Sequence, residues 1–389
     1  MSFYKTGKKR DEIRKELVKL RKKDFTFESG RILGSMCTQP NSIAKEAYNL
    51  FLETNLGDPD LFPGTKKIES KIVEMLLDLM HAPKKNASGL IMRGGTEGNI
   101  TAIRIARDIS GKNEILLSEN AHFSFQKIAS LMNMKLAPIQ LNKQYCIDVQ
   151  KLKKRLIKNN NVAAVVGVAG STELGTIDDI PALSETCKDE HVFLHIDAAF
   201  GGFVIPFLKE LGFDVPDFDF KLDGVDSIEI DAHKMGCSVI PMGTLLIRNK
   251  HWLEEINVES PCVSTEKQTS ILGTRPGAAV AAAYAVMNYL GKEGYKKIVK
   301  NCMDTTYYAA QRIKEINLEL VAEPTINVLG IKFRNASEVV RELSERGWKV
   351  GKMRRIGCIR LVLMPHITKN IIDQFIPDLR KVCKKLEEI

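Results

Sequence analysis

The chain has 389 residues, 44% hydrophobic and 27% charged, with a formal net charge of +9 from 57 basic and 48 acidic residues. That length allows two domains, or one large domain with a smaller appendage, and a sizeable core. No apolar run approaches the roughly 20 residues that cross a bilayer, and the start, MSFYKTGKKRDEIRKELVKLRKKD, is basic and helical rather than signal-like, so a soluble cytoplasmic protein without a membrane partner is expected.

The eight cysteines include no C-x-x-C pair, which removes a zinc ribbon and a dithiol redox motif, and no metal is expected. A positive balance raises the alternative of an RNA-binding or tRNA-dependent protein. The basic residues are mixed with acidic ones, however, and no nucleic-acid motif accompanies them. A solvated basic surface is the simpler reading, and no nucleic-acid partner is expected.

In chain order, residues 10–22 set Ile13, Leu17 and Leu20 on one face of an amphipathic helix that needs a surface to lie on. A helix over 42–54 comes next, then a Gly57, Asp58-Pro59, Pro63-Gly64 loop and a helix starting near Thr65. From 90 to 250 short apolar runs alternate with helical stretches. Strands are predicted at 90–92, 115–117, 162–168, 192–196, 227–230 and 243–247, with helices near 96–109, 123–133, 148–158 and 180–188. Such alternation gives an α/β domain with a mostly parallel sheet, whose ligands bind at the carboxyl ends of the strands. Residues 278–290 read as one long helix, and 291–389 as a small α+β domain with strands at 328–333 and 359–364 and helices at 337–346 and 371–387. The expected division is an N-terminal helical arm over 1–55, a large domain over 56–290 and a small C-terminal domain over 291–389.

Four features fall at predicted strand ends. RGGTEGN (93–99) opens a helix with two glycines and a hydroxyl at Thr96, which suits a phosphate cradle or a plain capped helix entry. In ENAHFSF (119–125), His122 is either a catalyst or a structural hydrogen-bonding group. In FLHIDAAFGG (193–202), Asp197 ends an apolar strand, where a carboxylate needs a cation, a donor or a helix to cap. In DSIEIDAHKMG (226–236), Lys234 comes just after a buried strand; desolvation there is expected to depress its pKa and make it a nucleophilic amine.

The set RGGTEGN, AHFSF, GSTELGTID, HIDAAFGG and DAHKMG, in this order and spacing, resembles the fold-type I pyridoxal-phosphate enzymes, and within them the group II amino-acid decarboxylases. NLGDPDLFPGTKKIE and ILGTRPG extend the likeness, which is strongest toward the archaeal decarboxylases acting on tyrosine and aspartate and runs from about residue 28 to the C-terminus. The resemblance implies a large domain with a mostly parallel seven-stranded sheet, a small C-terminal α+β domain and pyridoxal 5'-phosphate as cofactor.

By matching position, Lys234 resembles the lysine that binds the cofactor covalently, and Asp197 the carboxylate that keeps its pyridine nitrogen protonated. His122 and Ala199 match the groups on the two ring faces. Gly95, Thr96 and His233 match the phosphate surroundings, and Thr172 the hydroxyl near the ring's 3-oxygen. Thr274 matches a phosphate contact given by the neighbouring subunit, which implies a homodimer with shared sites. For the substrate, Arg360 is a candidate carboxylate partner, and Asn55 a candidate at the entrance. Pro365 stands where a glutamate decarboxylase has arginine. The Cα proton donor is open among Lys234, His122 and the loop 258–268.

The implied reactions are L-tyrosine to tyramine, for methanofuran, and L-aspartate to β-alanine, for coenzyme A. Glutamate decarboxylation and carbon–carbon lyase action on a phosphorylated amino alcohol are the alternatives.

Overall fold

The structure is a computed structural model describing residues 5–389. The first four residues of the basic N-terminal stretch lie outside the described residues. Helix α1 (Arg10–Arg21) has acidic Asp11 and Glu12 in its first turn and basic Lys19 and Arg21 in its last, the arrangement that complements the helix dipole. Its apolar stripe finds no cover among the described residues, and Ile13, Leu17 and Leu20 stay exposed. Helix α2 (Ser42–Leu50) is capped by Asn41, whose Oδ1 accepts the Ile43 N–H at 3.2 Å, and it stops short of residue 54. Helix α3 (Pro63–Leu79) starts on Pro63, where a missing N–H costs nothing, and buries Ile72 and Leu76.

The central unit runs β1 (Ser88–Met92), α4 (Gly95–Ser110), β2 (Glu114–Ser118), α5 (Ser124–Met132), β3 (Lys135–Ile139), α6 (Val149–Ile157), β4 (Val162–Val168), α7 (Ile180–Asp189), β5 (Phe193–Asp197), α8 (Ile205–Glu210), β6 (Ser227–Asp231) and β7 (Gly243–Ile247). The seven strands lie in the order β1-β7-β6-β5-β4-β2-β3. β7 is antiparallel to both neighbours and every other pairing is parallel. β3, absent from the predicted strands, reads KLAPI; its Pro138 and exposed Lys135 are tolerated because it is the sheet edge.

β4 to β7 are buried along their whole length. Their period of two sorts the two faces. Leu194, Ile196, Ile228, Ile230 and Leu246 join the main core with Ile72, Leu76 and Leu183. Burial of each Leu or Ile contributes about 1.5–3 kcal/mol, so this face holds the sheet to its helices. The other face packs Phe193, Leu245 and Ile247 with Ile103 and Ala106 of α4. That face also carries His195, Asp197, Ser227 and Glu229, with His195 opposite Ser227 and Asp197 opposite Glu229. A polar band therefore lies under α4, in the interior.

A two-strand hairpin, β8 (Val258–Glu259) with β9 (Lys267–Gln268), precedes α9 (Gly277–Lys314). Gly291 interrupts α9 at φ 55° and ψ −173°, next to the division expected after residue 290. The remaining elements are β10 (Val328–Lys332), α10 (Ala336–Glu345), β11 (Gly351–Met353), β12 (Cys358–Val362) and α11 (Lys369–Lys385), with an antiparallel sheet ordered β10-β12-β11. Its core sets Leu329, Ile331, Ile359 and Leu361 against Trp348 and Phe375, whose rings meet edge-on at 5.1 Å. α9 serves both cores: Val299 and Met303 pack in the first, Ala309 and Ile313 in the second. Leu33 is also in the second core, and its carbonyl accepts the Val362 N–H at 2.7 Å, so the chain before α2 is stitched to the small sheet. Among the described residues no helix is long and apolar enough to cross a membrane.

Candidate active site

A cavity of about 450 Å³ opens beyond the carboxyl ends of β1, β2, β4, β5 and β6. Gly95, Thr96, His122, Thr172, Asp197, Ala199, His233 and Lys234 all line it, although they come from five separate strand ends. Asn55, Thr274 and Arg360 are not part of this chain's lining, whereas Arg93, Asn99, Asp231, Ile271 and Leu272 are.

The turn from β1 into α4 can only be made by glycines. Gly94 has φ +132°, a region closed to most side chains, and a Cβ on it would lie 3.1 Å from His233 Cε1. A Cβ on Gly95 would lie 3.0 Å from Glu229 Oε2 and 3.4 Å from Ala199 Cβ. Gly94, not Thr96, occupies the cap position, and no side chain caps the helix. The N-terminal turn of a sixteen-residue helix therefore offers its N–H groups and its dipole to an anion in the cavity.

Asp197 is held from two sides. Its Oδ1 accepts the Ala199 N–H at 3.2 Å and its Oδ2 accepts Asn99 Nδ2 at 3.1 Å. The first bond is an Asx turn, not a helix cap, since the chain continues from there into a short 3-10 turn (Gly201–Phe203). Asn99 Nδ2 faces Asp197, so Asn99 Oδ1 faces His195 Nε2, 2.8 Å away. His195 must donate from Nε2 there, and its Nδ1 accepts from Ser227 Oγ at 2.8 Å. Burial pushes the His195 pKa down to about 4, so the ring is neutral. A neutral relay thus fixes the orientation of a carboxylate without competing with it for charge.

His122 Nδ1 accepts the Ser124 N–H at 3.2 Å, which leaves the proton of the neutral ring on Nε2. Burial lowers its pKa, partly opposed by Asp197. His233 packs beside Gly94, with Nδ1 2.8 Å from the Met242 carbonyl.

Lys234 departs from expectation. Desolvation alone pulls its pKa down, but Asp231, Glu229 and Asp197 together outweigh that and raise it. The Lys234 Nζ lies 2.9 Å from Asp231 Oδ2, so the bare chain holds an ammonium ion here, not a ready amine. The expectation counted burial and missed the carboxylates that share it. Glu229, fully buried, and Asp231 are functional candidates absent from the predicted set, as are Asn99 and His195. Their signal was present: polar residues at every second position of buried β5 and β6 put His195 and Asp197 beside Ser227, Glu229 and Asp231.

Arg360 sits behind the cavity. Its guanidinium donates to the Thr172 and Gly34 carbonyls, bracing the Thr172 loop against the small unit; burial lowers its pKa to about 10, and it stays cationic at neutral pH. Asn55 Oδ1 accepts the Gly57 N–H at 2.9 Å, and Asn55 bridges Pro276. Thr274 gives its carbonyl to Arg93 Nη2 at 2.6 Å. A glycine helix entry, a fixed carboxylate, a lysine, and His122 and Ala199 in the wall of the same cavity together suit a phosphorylated, positively charged aromatic ring that reacts with amines.

Comparison with known proteins agrees. Residues 39–334 match the pyridoxal-dependent decarboxylase conserved domain. The chain is 46% identical over 387 residues to the L-aspartate/L-glutamate decarboxylase of Pyrococcus horikoshii, covering 98% of this chain and 100% of that protein. It is 45% identical over 362 residues to the probable L-tyrosine/L-aspartate decarboxylase of Methanothermobacter thermautotrophicus, covering 92% and 99%. Among solved structures it superposes on the Burkholderia pseudomallei sphingosine-1-phosphate lyase with a TM-score of 0.91 at 26% identity, covering 99% and 92% of the two chains. It also superposes on the Lactobacillus brevis glutamate decarboxylase with a TM-score of 0.87 at 21% identity, covering 100% and 96%, a likeness of fold. The chain belongs to the pyridoxal-dependent decarboxylases and is a pyridoxal-phosphate-dependent amino-acid decarboxylase of fold type I.

Proposed function

We propose that the chain converts L-aspartate to β-alanine and L-tyrosine to tyramine, with Lys234 as the lysine that binds pyridoxal phosphate. The observation that carries the assignment of the site is that Lys234 and Asp197, from adjacent strands, share one cavity with the glycine turn of α4 and with His122. When bound, the cofactor supplies the electron sink for the pair left by departing carbon dioxide.

The chain's own residues orient and insulate. Gly95, Thr96 and His233 would hold the phosphate, and Asp197, anchored by Asn99 and the Ala199 N–H, would hold the protonated ring nitrogen. His122 and Ala199, both in the cavity wall, would cover the two faces of the ring. Thr172, steadied through its carbonyl by Arg360, would offer its hydroxyl to the 3-oxygen. Ile100, Phe200, Ile271 and Leu272 give the cavity an apolar part of its wall. Lys234 would hold the cofactor between turnovers.

For the substrate, both archaeal relatives carry aspartate in their names. Arg93, exposed in the lining, has guanidinium donors beyond its bond to Thr274 for a side-chain carboxylate, and the apolar lining suits a phenol ring. We further propose that the working unit is a homodimer in which Thr274 reaches the neighbouring site, and that the products serve coenzyme A and methanofuran synthesis. A carbon dioxide release assay across the amino acids should give aspartate and tyrosine as the leading substrates, with β-alanine or tyramine formed mole for mole with the carbon dioxide released. Preference for glutamate, or an aldehyde in place of carbon dioxide, would overturn the reading.

A further inference from the structure

Glu229 is the least explained group near the cavity. It lies in the middle of β6 at 0% exposure, and neither of its carboxyl oxygens meets a donor among the described residues; Asp231 Oδ1 is likewise without one. An isolated carboxylate at such a place is strongly disfavoured. The neighbours decide what it is. β5 brings Asp197 and His195, α4 brings Glu97, the end of β6 and its sequel bring Asp231, His233 and Lys234, and β7 and the 3-10 turn Gly201–Phe203 bring no titratable group. The polar side chain that converges with it on the same spot is another carboxyl, Asp231. Glu229 Oε2 and Asp231 Oδ2 converge on Gly95, at 3.0 and 3.2 Å from where its Cβ would be. Two carboxylates cannot bond each other unless one carries a proton.

We propose that Glu229 and Asp231 share one proton as a buried acid pair, and that this pair accepts the proton Lys234 sheds when its amine becomes a nucleophile. Glu229 is the positioning residue: its Oε2 and Asp231 Oδ2 lie on the same side, against Gly95, and that same Asp231 Oδ2 faces Lys234 Nζ, 2.9 Å away. The step balances. The Nζ–H bond breaks and its electrons stay on nitrogen as the attacking lone pair, while the proton moves to Asp231 Oδ2. An ammonium facing a pair of net charge −1 becomes a neutral amine facing two neutral acids, so the group remains neutral as a whole. With both carboxyls buried, that is the form of deprotonation that leaves no uncompensated charge behind. The raised pKa of Glu229, which comes from burial first and then from Asp231 and Asp197, agrees with a held proton. The inference rests on Lys234 being the cofactor lysine.

The first test uses chain freed of cofactor. The infrared difference between wild type and Glu229→Gln should show a carboxylic-acid carbonyl band at neutral pH; taking the difference removes the contributions of Asp178 and Asp226, whose pKa values are raised to about 6 and about 7. If that variant does not fold, the wild-type spectrum at about pH 8 serves, since those two aspartates are then mostly ionised and the band should persist. No band at either point overturns the shared proton.

The second test tracks capture of pyridoxal phosphate by cofactor-free chain, trapped with borohydride and measured by peptide mass against pH. Asp231→Asn should move the profile to lower pH by about one unit or more, because the ammonium loses its counter-charge. Its plateau rate should nevertheless fall on the order of 10²-fold for want of an acceptor, and added formate should restore part of it. Glu229→Leu should lower the plateau, and Glu229→Gln, which can still bond Asp231, should recover most of that loss. An undiminished plateau in Asp231→Asn overturns the relay, whereas a trapped peptide lacking Lys234 overturns the cofactor assignment beneath it.

Discussion

A lysine beside a carboxylate at the end of a buried strand acquires its chemistry from its neighbours. Asp231 and Glu229 keep Lys234 charged until something replaces that interaction, and Asn99 with His195 keeps Asp197 aimed. Replacing Lys234 by Ala should abolish the borohydride-trapped adduct and turnover together, and a retained adduct would move the assignment to another lysine. Asp197→Asn should keep the fold, because an amide still accepts the Ala199 N–H. It should nonetheless lose about 100-fold or more in kcat, since the proposed role of Asp197 is to set a charge opposite the ring nitrogen where charge develops. Glu229 gives the residue scale its pH dependence. A carboxyl whose folded pKa lies above its ordinary 4.5 destabilises the fold progressively as pH rises from 4.5 toward the folded value. The wild type should therefore lose stability relative to Glu229→Gln over that window, measured by urea unfolding at successive pH values.

Among the elements, the close approach of α4 to β6 sets the depth of the cradle. Gly98 lies against Glu229 Cγ, and any Cβ there would overlap it. Gly98→Ala gains about 1 kcal/mol of helix propensity but incurs about 1–3 kcal/mol of overpacking, so a net loss of stability is expected, with a displaced Glu229. Urea midpoints check it. The strand predictions held where a run was apolar and fully buried, as in β4 and β7, because burial on both faces leaves little choice of side chain. β3 escaped because an edge strand is free to carry Lys135 and Pro138. α9 was predicted too short, since beyond Gly291 its apolar residues are shared between two cores and the single-face periodicity is diluted.

At the level of the whole molecule, α1 presents its apolar stripe uncovered, and Thr274 lies outside its own chain's cavity. A dimer that shares sites makes a specific prediction. Lys234→Ala and Thr274→Val chains, each impaired alone, should recover about one quarter of wild-type activity when co-expressed. That is the statistical half of heterodimers with one intact site in two. Absence of recovery would return Thr274 to its own subunit.

The sequence by itself determined most of the central elements, the glycine turn and eight of the cavity-lining residues, because strand ends in a parallel sheet converge and motifs such as HIDAAFGG and DAHKMG carry their spacing locally. Tertiary structure alone decided the charge of Lys234, the neutral state of His195 and the place of Arg360 behind Thr172. Protonation depends on which charges meet across strands: Asp197 and Glu229 are far apart in sequence yet side by side in the sheet. Burial makes their interaction large, and no local pattern states it.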